Sequence, residues 1–336
     1  MVQHEVTIHQ GTLRGSTGTD LRGDTFLKFQ GIPYAKPPLG DLRFKTPVPP
    51  ENGLAFSMPP KKGAFVTNET FSKSSSGGLS FFFDYPKLKQ FWLPEDEKDL
   101  RPVMFWIHGG VFILQHGGEE LHSPDFLITE DVVVVTINYR LGLLGFISSD
   151  DTSLDIPGSA GLKDQVMALK WVQEKIDKFG GDPNDVTVFG QSAGAVSVHL
   201  MVLSPLAKGL FHKAIAQSGS AINPWVQARK GVKRVAEVMG LEGADDKTVF
   251  DAVTKKSKEE ILGLQEIMDD VFMFLIKYIG LVIETNSKEP SMTEEPINIM
   301  KSGNFSQVQF LTGCTSLEGA TLDLVVKSID FNLILY

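Results

Sequence analysis

The stretch Val186-Thr-Val-Phe-Gly-Gln-Ser-Ala-Gly-Ala195 decides the fold of this 336-residue chain. Four strand-forming residues lead into Gly190-Gln-Ser-Ala-Gly194, and the apolar run that follows, up to Leu203, has the composition of a helix. Strand, G-x-S-x-G and helix in that order predict a nucleophile elbow, a tight turn with a serine at its tip. A serine there has a strained backbone, so the residues two before and two after it must lack a Cβ atom.

The elbow predicts chemistry as well as geometry. The turn raises the Ser192 hydroxyl above the sheet and places the Ala193 amide at the start of a helix, facing an incoming carbonyl group. A second glycine-rich segment, Trp106-Ile-His-Gly-Gly-Val-Phe112, follows a predicted strand. Its glycines let backbone amides approach a substrate oxygen closely. An ordinary glycine turn at a strand end is the alternative interpretation of this second segment.

Strands and helices alternate through the middle of the chain. Strands are predicted at Val103–Ile107, Val132–Ile137, Val186–Phe189, Lys213–Gln217 and Val308–Thr312, and helices at Leu162–Phe179, Ala195–Leu203 and Gly231–Met239. Such alternation builds a mostly parallel central sheet with helices on both faces. The sequence therefore predicts an α/β fold in which residues 1–336 form a single domain.

The first hundred residues differ from this pattern. Glu5–Leu13 and Thr25–Gln30 are predicted as antiparallel strands separated by turn residues. Residues 51–100 contain a serine- and glycine-rich run and a block of charges, so this segment is predicted to be irregular and to have an origin different from that of the rest of the chain.

Composition limits the partners of the protein. The chain is 42% hydrophobic and 22% charged, and its net charge of −9 argues against nucleic acid or anionic lipid as a partner. A single cysteine, Cys314, excludes an intrachain disulfide. No apolar run is long enough to span a bilayer, and the first ten residues lack the features of a signal peptide. A cytoplasmic protein is therefore expected, with secretion as the alternative.

Taken together, the motifs resemble those of type-B carboxylesterases, the cholinesterase-like branch of the α/β-hydrolases, and are most similar to those of insect carboxylesterases. The resemblance covers about residues 5–48 and 102–320. Beside the elbow and the 106–112 segment, it is carried by Gly31-Ile-Pro-Tyr-Ala35, Leu42-Arg-Phe44, Asn138-Tyr-Arg140, Leu144-Gly-Phe146, Gly161-Leu-Lys-Asp-Gln165, Phe179-Gly-Gly-Asp-Pro183, Gln217-Ser-Gly-Ser220 and Thr315-Ser-Leu-Glu-Gly319.

The resemblance implies roles for individual residues. Ser192 matches the nucleophile and Glu318 the acid of a catalytic triad, in the chain order of the α/β-hydrolases. The oxyanion hole would consist of the amides of Gly110, Val111 and Ala193. Trp225 matches a position that often lines the acyl pocket, although a core tryptophan is an equally good interpretation. The family uses no metal or cofactor, and its substrates are small-molecule esters.

The chain also departs from the family pattern. The family's triad histidine follows the acid, but no histidine follows Glu318 in this sequence. His199 lies seven residues beyond Ser192, about 10 Å along a helix, and His108 would approach from the oxyanion side, so neither is predicted to replace it. Val111 stands where the family has a third glycine. A strand that the family has just before the oxyanion strand is not recognisable, and the fold is expected to be incomplete at its carboxyl end.

The sequence therefore predicts a carboxylic-ester hydrolase that acts through a serine-bound acyl intermediate. Because one triad member is lacking, this chain is expected to be weakly active or inactive. The alternative is a non-catalytic, cholinesterase-like protein that binds or scavenges ligands. The oligomeric state and the identity of the ester remain open at this point.

Overall fold

Eight strands form one mixed sheet through the molecule, and two further strands form a hairpin. The computed structural model describes residues 4–51, 87–94, 99–149, 151–226, 231–268, 280–284 and 287–320. The strands are β1 (Glu5–Ile8), β2 (Gly11–Arg14), β3 (Ser16–Thr19), β4 (Thr25–Pro33), β5 (Lys87–Pro94), β6 (Arg101–Ile107), β7 (Val133–Asn138), β8 (Gly181–Gln191), β9 (Lys213–Gln217) and β10 (Gln309–Gly313).

The strands of the large sheet follow the order β10-β9-β8-β6-β7-β5-β4-β3. From β10 to β7 all neighbours are parallel, and from β7 to β3 they are antiparallel. The described α-helices are α1 (Gly142–Phe146), α2 (Ala160–Lys175), α3 (Ala193–Leu203), α4 (Val232–Val238), α5 (Asp246–Thr254), α6 (Lys258–Met268) and α7 (Pro296–Ser302). This is the predicted α/β-hydrolase architecture.

The centre of the sheet and the helix after the elbow form the core. All six residues of β7 are buried, as expected of a β-branched run in a central strand. All eleven residues of α3 are buried as well, and this helix packs against β8 and β9. Its apolar sequence is therefore explained by its position, since a helix that is apolar on every side must be enclosed.

Two sequence-based predictions about the first hundred residues are wrong. Residues 87–94, which were included in the irregular segment, form β5, which pairs with both β4 and β7. The strand is central, so Leu88, Phe91 and Trp92 are completely buried and the usual alternation with polar residues is lost. Glu5–Leu13 is a hairpin, not one strand. Residues 52–86 and 95–98 lie outside the described part of the chain.

The parallel arrangement brings the functional segments to one edge of the sheet. In register, Ile107 at the end of β6 lies beside Gly190, and Gln191 lies beside Gln217, which in turn pairs with Gly313. Each of these strands ends at the same edge, and the residues that follow enter loops there. In open α/β sheets ligands bind outside the carboxyl ends of such strands.

An ion pair beneath this edge joins the loop after β7 to α2. Asp164 is fully buried, and its two carboxylate oxygens accept hydrogen bonds from Nε, Nη2 and the backbone amide of Arg140 at 2.7–3.0 Å. The Arg140 guanidinium also donates to the carbonyl oxygens of Lys45 and Ala160. A buried pair of this kind is costly to break, because removing one partner leaves the other charge without compensation.

We expect Asp164→Asn, which keeps the side-chain shape and removes the charge, to lower the free energy of unfolding by about 3–5 kcal/mol. Glu5→Gln is the matched control, because the Glu5–Arg14 pair is exposed on both sides and should contribute less than about 1 kcal/mol. Urea unfolding followed by circular dichroism measures both values. Equal losses in the two variants would contradict the assigned role of the buried pair.

Candidate active site

Ser192 occupies the tip of the turn between β8 and α3. Its backbone angles are φ 57° and ψ −120°, a conformation rare for a residue with a side chain, with a cost of about 1–3 kcal/mol. The Ser192 amide donates to the carbonyl oxygen of Gln217 at 2.9 Å, and its own carbonyl oxygen accepts from the Val196 amide. The side chain is partly exposed, and none of the described residues forms a hydrogen bond with its hydroxyl.

The two glycines of the elbow are required by close backbone contacts. A Cβ atom on Gly194 would lie 2.0 Å from the carbonyl oxygen of Ile107, and one on Gly190 would lie 2.7 Å from the same oxygen. Real Cβ atoms do not approach backbone atoms so closely, so neither position accepts a side chain without movement of β6. The sequence analysis therefore explained correctly that both positions must lack a Cβ atom. The group that excludes the Cβ is the Ile107 carbonyl at the end of β6.

The glycine-rich loop after β6 lies directly against the serine. A Cβ atom on Gly109 would be 3.2 Å from the Cβ of Ser192. Gly110, Val111 and Phe112 all have positive φ, at 92°, 50° and 63°, and the carbonyl oxygen of Gly110 accepts from the amides of Ile113 and Leu114, three and four residues ahead. Within the described part of the protein, the amides of Gly110, Val111 and Ala193 donate none of the hydrogen bonds that the structure forms.

Val111 carries strain that a glycine would not. A β-branched residue at φ 50° is uncommon, because its side chain crowds the backbone in the left-handed region. Phe112 is in the same region and is buried against Phe146, at a ring separation of 4.9 Å. The Phe112 carbonyl also accepts from the Gly142 amide at 2.7 Å. Packing of Phe112 therefore keeps the loop in a conformation that Val111 alone would not adopt.

His108 and Tyr139 support the loop from beneath. Both are fully buried, and their rings stack at 4.5 Å. The Tyr139 hydroxyl donates to the carbonyl oxygen of His108 at 3.0 Å, and His108 Nδ1 lies 2.9 Å from the carbonyl oxygen of Gly109. Because that carbonyl can only accept, Nδ1 carries the proton. Burial lowers the pKa of His108 to about 3, so it is neutral and unsuited to proton transfer here.

Glu318 lies in the loop after β10, at the carboxyl edge of the sheet. One of its oxygens accepts from the Thr315 amide at 2.9 Å. Its pKa is lowered, chiefly by hydrogen bonding with the Ser218 side chain and then by the backbone and side chain of Thr315. Ser218 follows Gln217, the residue whose carbonyl holds Ser192. The last residue of β9 therefore holds the serine, and the residue after it acts on the pKa of the carboxylate that the sequence pairs with that serine.

Trp225 lies near the glycine-rich loop after β6 rather than in the deep core. Its ring is 6.4 Å from that of Phe112, and its side chain is partly exposed. This position is compatible with a wall of an acyl pocket.

The described histidines are engaged elsewhere. His199 Nδ1 lies 3.2 Å from the Ser220 hydroxyl and accepts from the Ala221 amide, so it is directed away from Ser192. The His122 ring is tilted against that of Trp106 with the ring centres 5.2 Å apart, and burial is the main cause that lowers its pKa to about 4. His212 Nδ1 accepts from the Val186 amide at the far end of β9.

Sequence analysis missed the roles of Ser218, Tyr139 and Gly109. Each lies inside a motif that was recognised, but its role depends on a tertiary contact: with Glu318, with His108 and with Ser192 respectively. Ser218 also has φ 57°, which no local pattern predicts for a serine.

In the described part of the chain, no cluster of three or more histidine, cysteine or carboxylate side chains could hold a metal ion. Nor is any described helix both long and apolar enough to cross a membrane.

Comparisons with known proteins show what this chain is similar to. A family model described as "Carboxylesterase family" matches residues 2–330. The chain is 36% identical over 328 residues to a protein named "Juvenile hormone esterase" from Tribolium castaneum, covering 92% of this chain and 54% of that protein. It is 34% identical over 328 residues to "Venom carboxylesterase-6" from Apis mellifera, covering 94% of this chain and 57% of that protein.

A solved structure shows the same fold. It is the juvenile hormone esterase from Manduca sexta with OTFP covalently attached, and the match has a TM-score of 0.78 at 28% identity. The match covers 97% of this chain and 64% of the Manduca chain. The chain therefore spans between about half and two thirds of the length of these relatives.

Gly194→Ala should show how strongly the elbow depends on its glycines. Because the new Cβ would meet the Ile107 carbonyl oxygen, we expect unfolding to become easier by about 3 kcal/mol or more. Gly263→Ala in α6 is the control, since its Cβ would meet nothing within 4 Å and alanine favours a helix by up to about 1 kcal/mol. Urea midpoints of the two variants test this. A Gly194→Ala protein as stable as the parent would refute the packing argument.

The buried histidines predict a loss of stability in weak acid. His108 and His122 titrate near 6.5 when exposed but at about 3 and about 4 when folded, so between pH 6.5 and 4 the unfolded chain binds more protons. The free energy of unfolding should therefore fall as the pH drops through this window. Urea unfolding at several pH values measures the slope. His122→Phe, which keeps the contact with Trp106, should make it shallower, whereas His9→Phe at an exposed site should not.

Proposed function

Since this chain belongs to the carboxylesterase family, we propose that it carries the nucleophile, the acid and the oxyanion hole of a serine esterase. Ser192 would attack the carbonyl carbon of a small-molecule ester and form a serine-bound acyl intermediate as the alcohol leaves. Water would then attack this intermediate and release the acid. Glu318 is the proposed acid of the triad, which orients the histidine base and stabilises its charged form.

The observation that carries this proposal is the juxtaposition of a strained serine and three unoccupied amides. Ser192 has φ 57° at the amino end of α3, and the Gly109 backbone lies against its Cβ. The amides of Gly110, Val111 and Ala193 have no acceptor among the described residues, so an oxyanion could take that place. Donors arranged in advance stabilise the charge that develops in the transition state without having to reorganise.

None of the histidines discussed above is placed to transfer a proton to or from Ser192. His108 is neutral and lies beneath the oxyanion loop, and His199 Nδ1 is used by Ser220 and Ala221. We therefore infer that neither acts as the base and that the chain by itself hydrolyses esters weakly. Loss of one triad member typically lowers the rate by about 10⁴-fold or more, and the oxyanion hole accounts for the remainder.

The alternative of a non-catalytic binding protein is less well supported. Such a protein would have no use for a strained serine or for a carboxylate held by Ser218 and Thr315. The proposed substrate is an uncharged ester, and the name of the Manduca structure, with OTFP covalently attached, records a covalent adduct in a relative. Trp225 is proposed to line the acyl side of the pocket through its position beside Phe112.

The site of action is proposed to be outside the cell. The sequence-based expectation was a cytoplasmic protein with secretion as the alternative, and one relative carries the word "venom" in its name. That name fits the alternative. The net charge of −9 does not distinguish the two compartments.

A fluorophosphonate probe tests the proposed chemistry directly. We expect slow covalent labelling of the 336-residue chain at Ser192, located by mass spectrometry of the modified peptide, and no labelling of Ser192→Ala. Ser123→Ala, which removes an exposed hydroxyl elsewhere, should label like the parent. Hydrolysis of p-nitrophenyl acetate should be at least about 10³-fold slower than that by an esterase with all three triad residues. Labelling that persists in Ser192→Ala would overturn the assignment.

A further inference from the structure

The turn after β9, residues 217–221, connects the two proposed catalytic groups. Gln217 accepts through its carbonyl from the Ser192 amide at 2.9 Å, and the Ser218 amide donates to the Gly313 carbonyl at the end of β10 at 2.8 Å. Hydrogen bonding with the Ser218 side chain is the main cause that lowers the pKa of Glu318, whose exposed carboxylate also accepts from the Thr315 amide at 2.9 Å. Whatever fixes this turn therefore fixes the position of Glu318 relative to the nucleophile.

The turn does not hold its shape through local preference. Ser218 has φ 57°, the left-handed region that a serine rarely adopts. The next residue, Gly219, is pressed against α3, where a Cβ atom would lie 2.3 Å from the carbonyl oxygen of Ser192 and 2.9 Å from the Cβ of Ala195. A backbone in this state persists only where surrounding contacts impose it.

His199 supplies the contact on the far side of the turn. It lies in α3 with only 7% of its surface exposed, and its Nδ1 accepts from the Ala221 amide at 3.3 Å. An amide can only donate, so Nδ1 carries no proton, and the Ser220 hydroxyl at 3.2 Å donates to it as well. The Ile222 amide in turn donates to the Ser220 oxygen at 3.4 Å. His199 Nδ1 thus binds both the hydroxyl of Ser220 and the amide of Ala221 at the end of the turn.

The outer face of the imidazole is covered by β10. The His199 and Phe310 rings lie 5.1 Å apart, so the histidine is enclosed between the turn and the strand that precedes Glu318. Burial lowers the pKa of His199, which favours the neutral acceptor form. Apart from Ser197, the rest of α3 is apolar or glycine, so a polar ring here is an exception that the turn explains.

We propose that His199 is a positioning residue for Glu318: by accepting from Ala221 and Ser220 it holds the 217–221 turn in the conformation in which Ser218 orients the carboxylate. The inference rests on the proposed function, because it assigns Glu318 to the site. His199 makes no contact with the reacting atoms and acts only through the turn. Its effect should therefore be visible at Glu318 itself, without any catalytic assay.

An isosteric pair of substitutions separates positioning from packing. His199→Asn keeps an acceptor near the Nδ1 position, whereas His199→Leu has nearly the same shape and none. The readout is the pKa of the Glu318 carboxyl, measured from the ¹³C shift of labelled glutamate and assigned by its loss in Glu318→Gln. We expect an upward shift toward the ordinary glutamate value in His199→Leu, and a smaller one or none in His199→Asn. His212→Leu, which removes a similar histidine acceptor at the opposite end of β9, should leave Glu318 unchanged.

Ser220→Ala provides a second, milder test should His199→Leu fail to fold. Removing the hydroxyl weakens the same clamp, so the Glu318 pKa should again rise. An unchanged pKa in the folded variants that lack the acceptor or the hydroxyl overturns the proposal, as does an equal rise in His199→Asn and His199→Leu. The outcome is independent of the proposed chemistry: a shift at Glu318 without fluorophosphonate labelling of Ser192 would reject the esterase activity and retain the role of His199.

Discussion

The contact between the Ile107 carbonyl and the two glycines of the elbow is the constraint on which the site depends. The end of β6 lies so close to Gly190 and Gly194 that no side chain fits between them. This contact sets the distance between two neighbouring parallel strands at their carboxyl ends. The residues that leave those strands, the oxyanion loop on one side and Ser192 on the other, are thereby brought against each other.

From that contact the rest of the site follows in order. With Gly109 against Ser192, the loop must turn back immediately, and it does so through three consecutive residues of positive φ. The left-handed conformation of Val111 is unfavourable, and the burial of Phe112 against Phe146 offsets it. On the other side, β9 and β10 extend the parallel sheet and deliver Ser218 and Glu318 to the same edge. Of the seven described residues other than glycine that have positive φ, four lie where the chemistry is proposed, at positions 111, 112, 192 and 218.

Sequence patterns predicted the parts of this arrangement that depend on local rules. The elbow turn, the glycine-rich loop after β6 and strands β6 to β10 were recognisable because glycine spacing and β-branched runs act within a few residues. β5 was missed because its lysines and glutamine are not typical of a central strand. Its burial depends on pairing with β4, more than fifty residues away in the sequence, and with β7, about forty residues away. The role of Ser218 was missed for a similar reason. The left-handed backbone of Ser218 arises from contacts with α3 and β10, and the residues next to it in the sequence do not predict those contacts.

The edge position of β10 has a consequence for the behaviour of the protein in solution. All five of its residues are exposed, among them Phe310 and Leu311, and the strand contains neither proline nor a charged side chain. In the part of the chain that the structure describes, only β9 pairs with it, so one row of its peptide groups is open. Such a margin is a template for strand addition between molecules. Among the described residues, β10 is therefore the place where a further strand would extend the parallel half of the sheet.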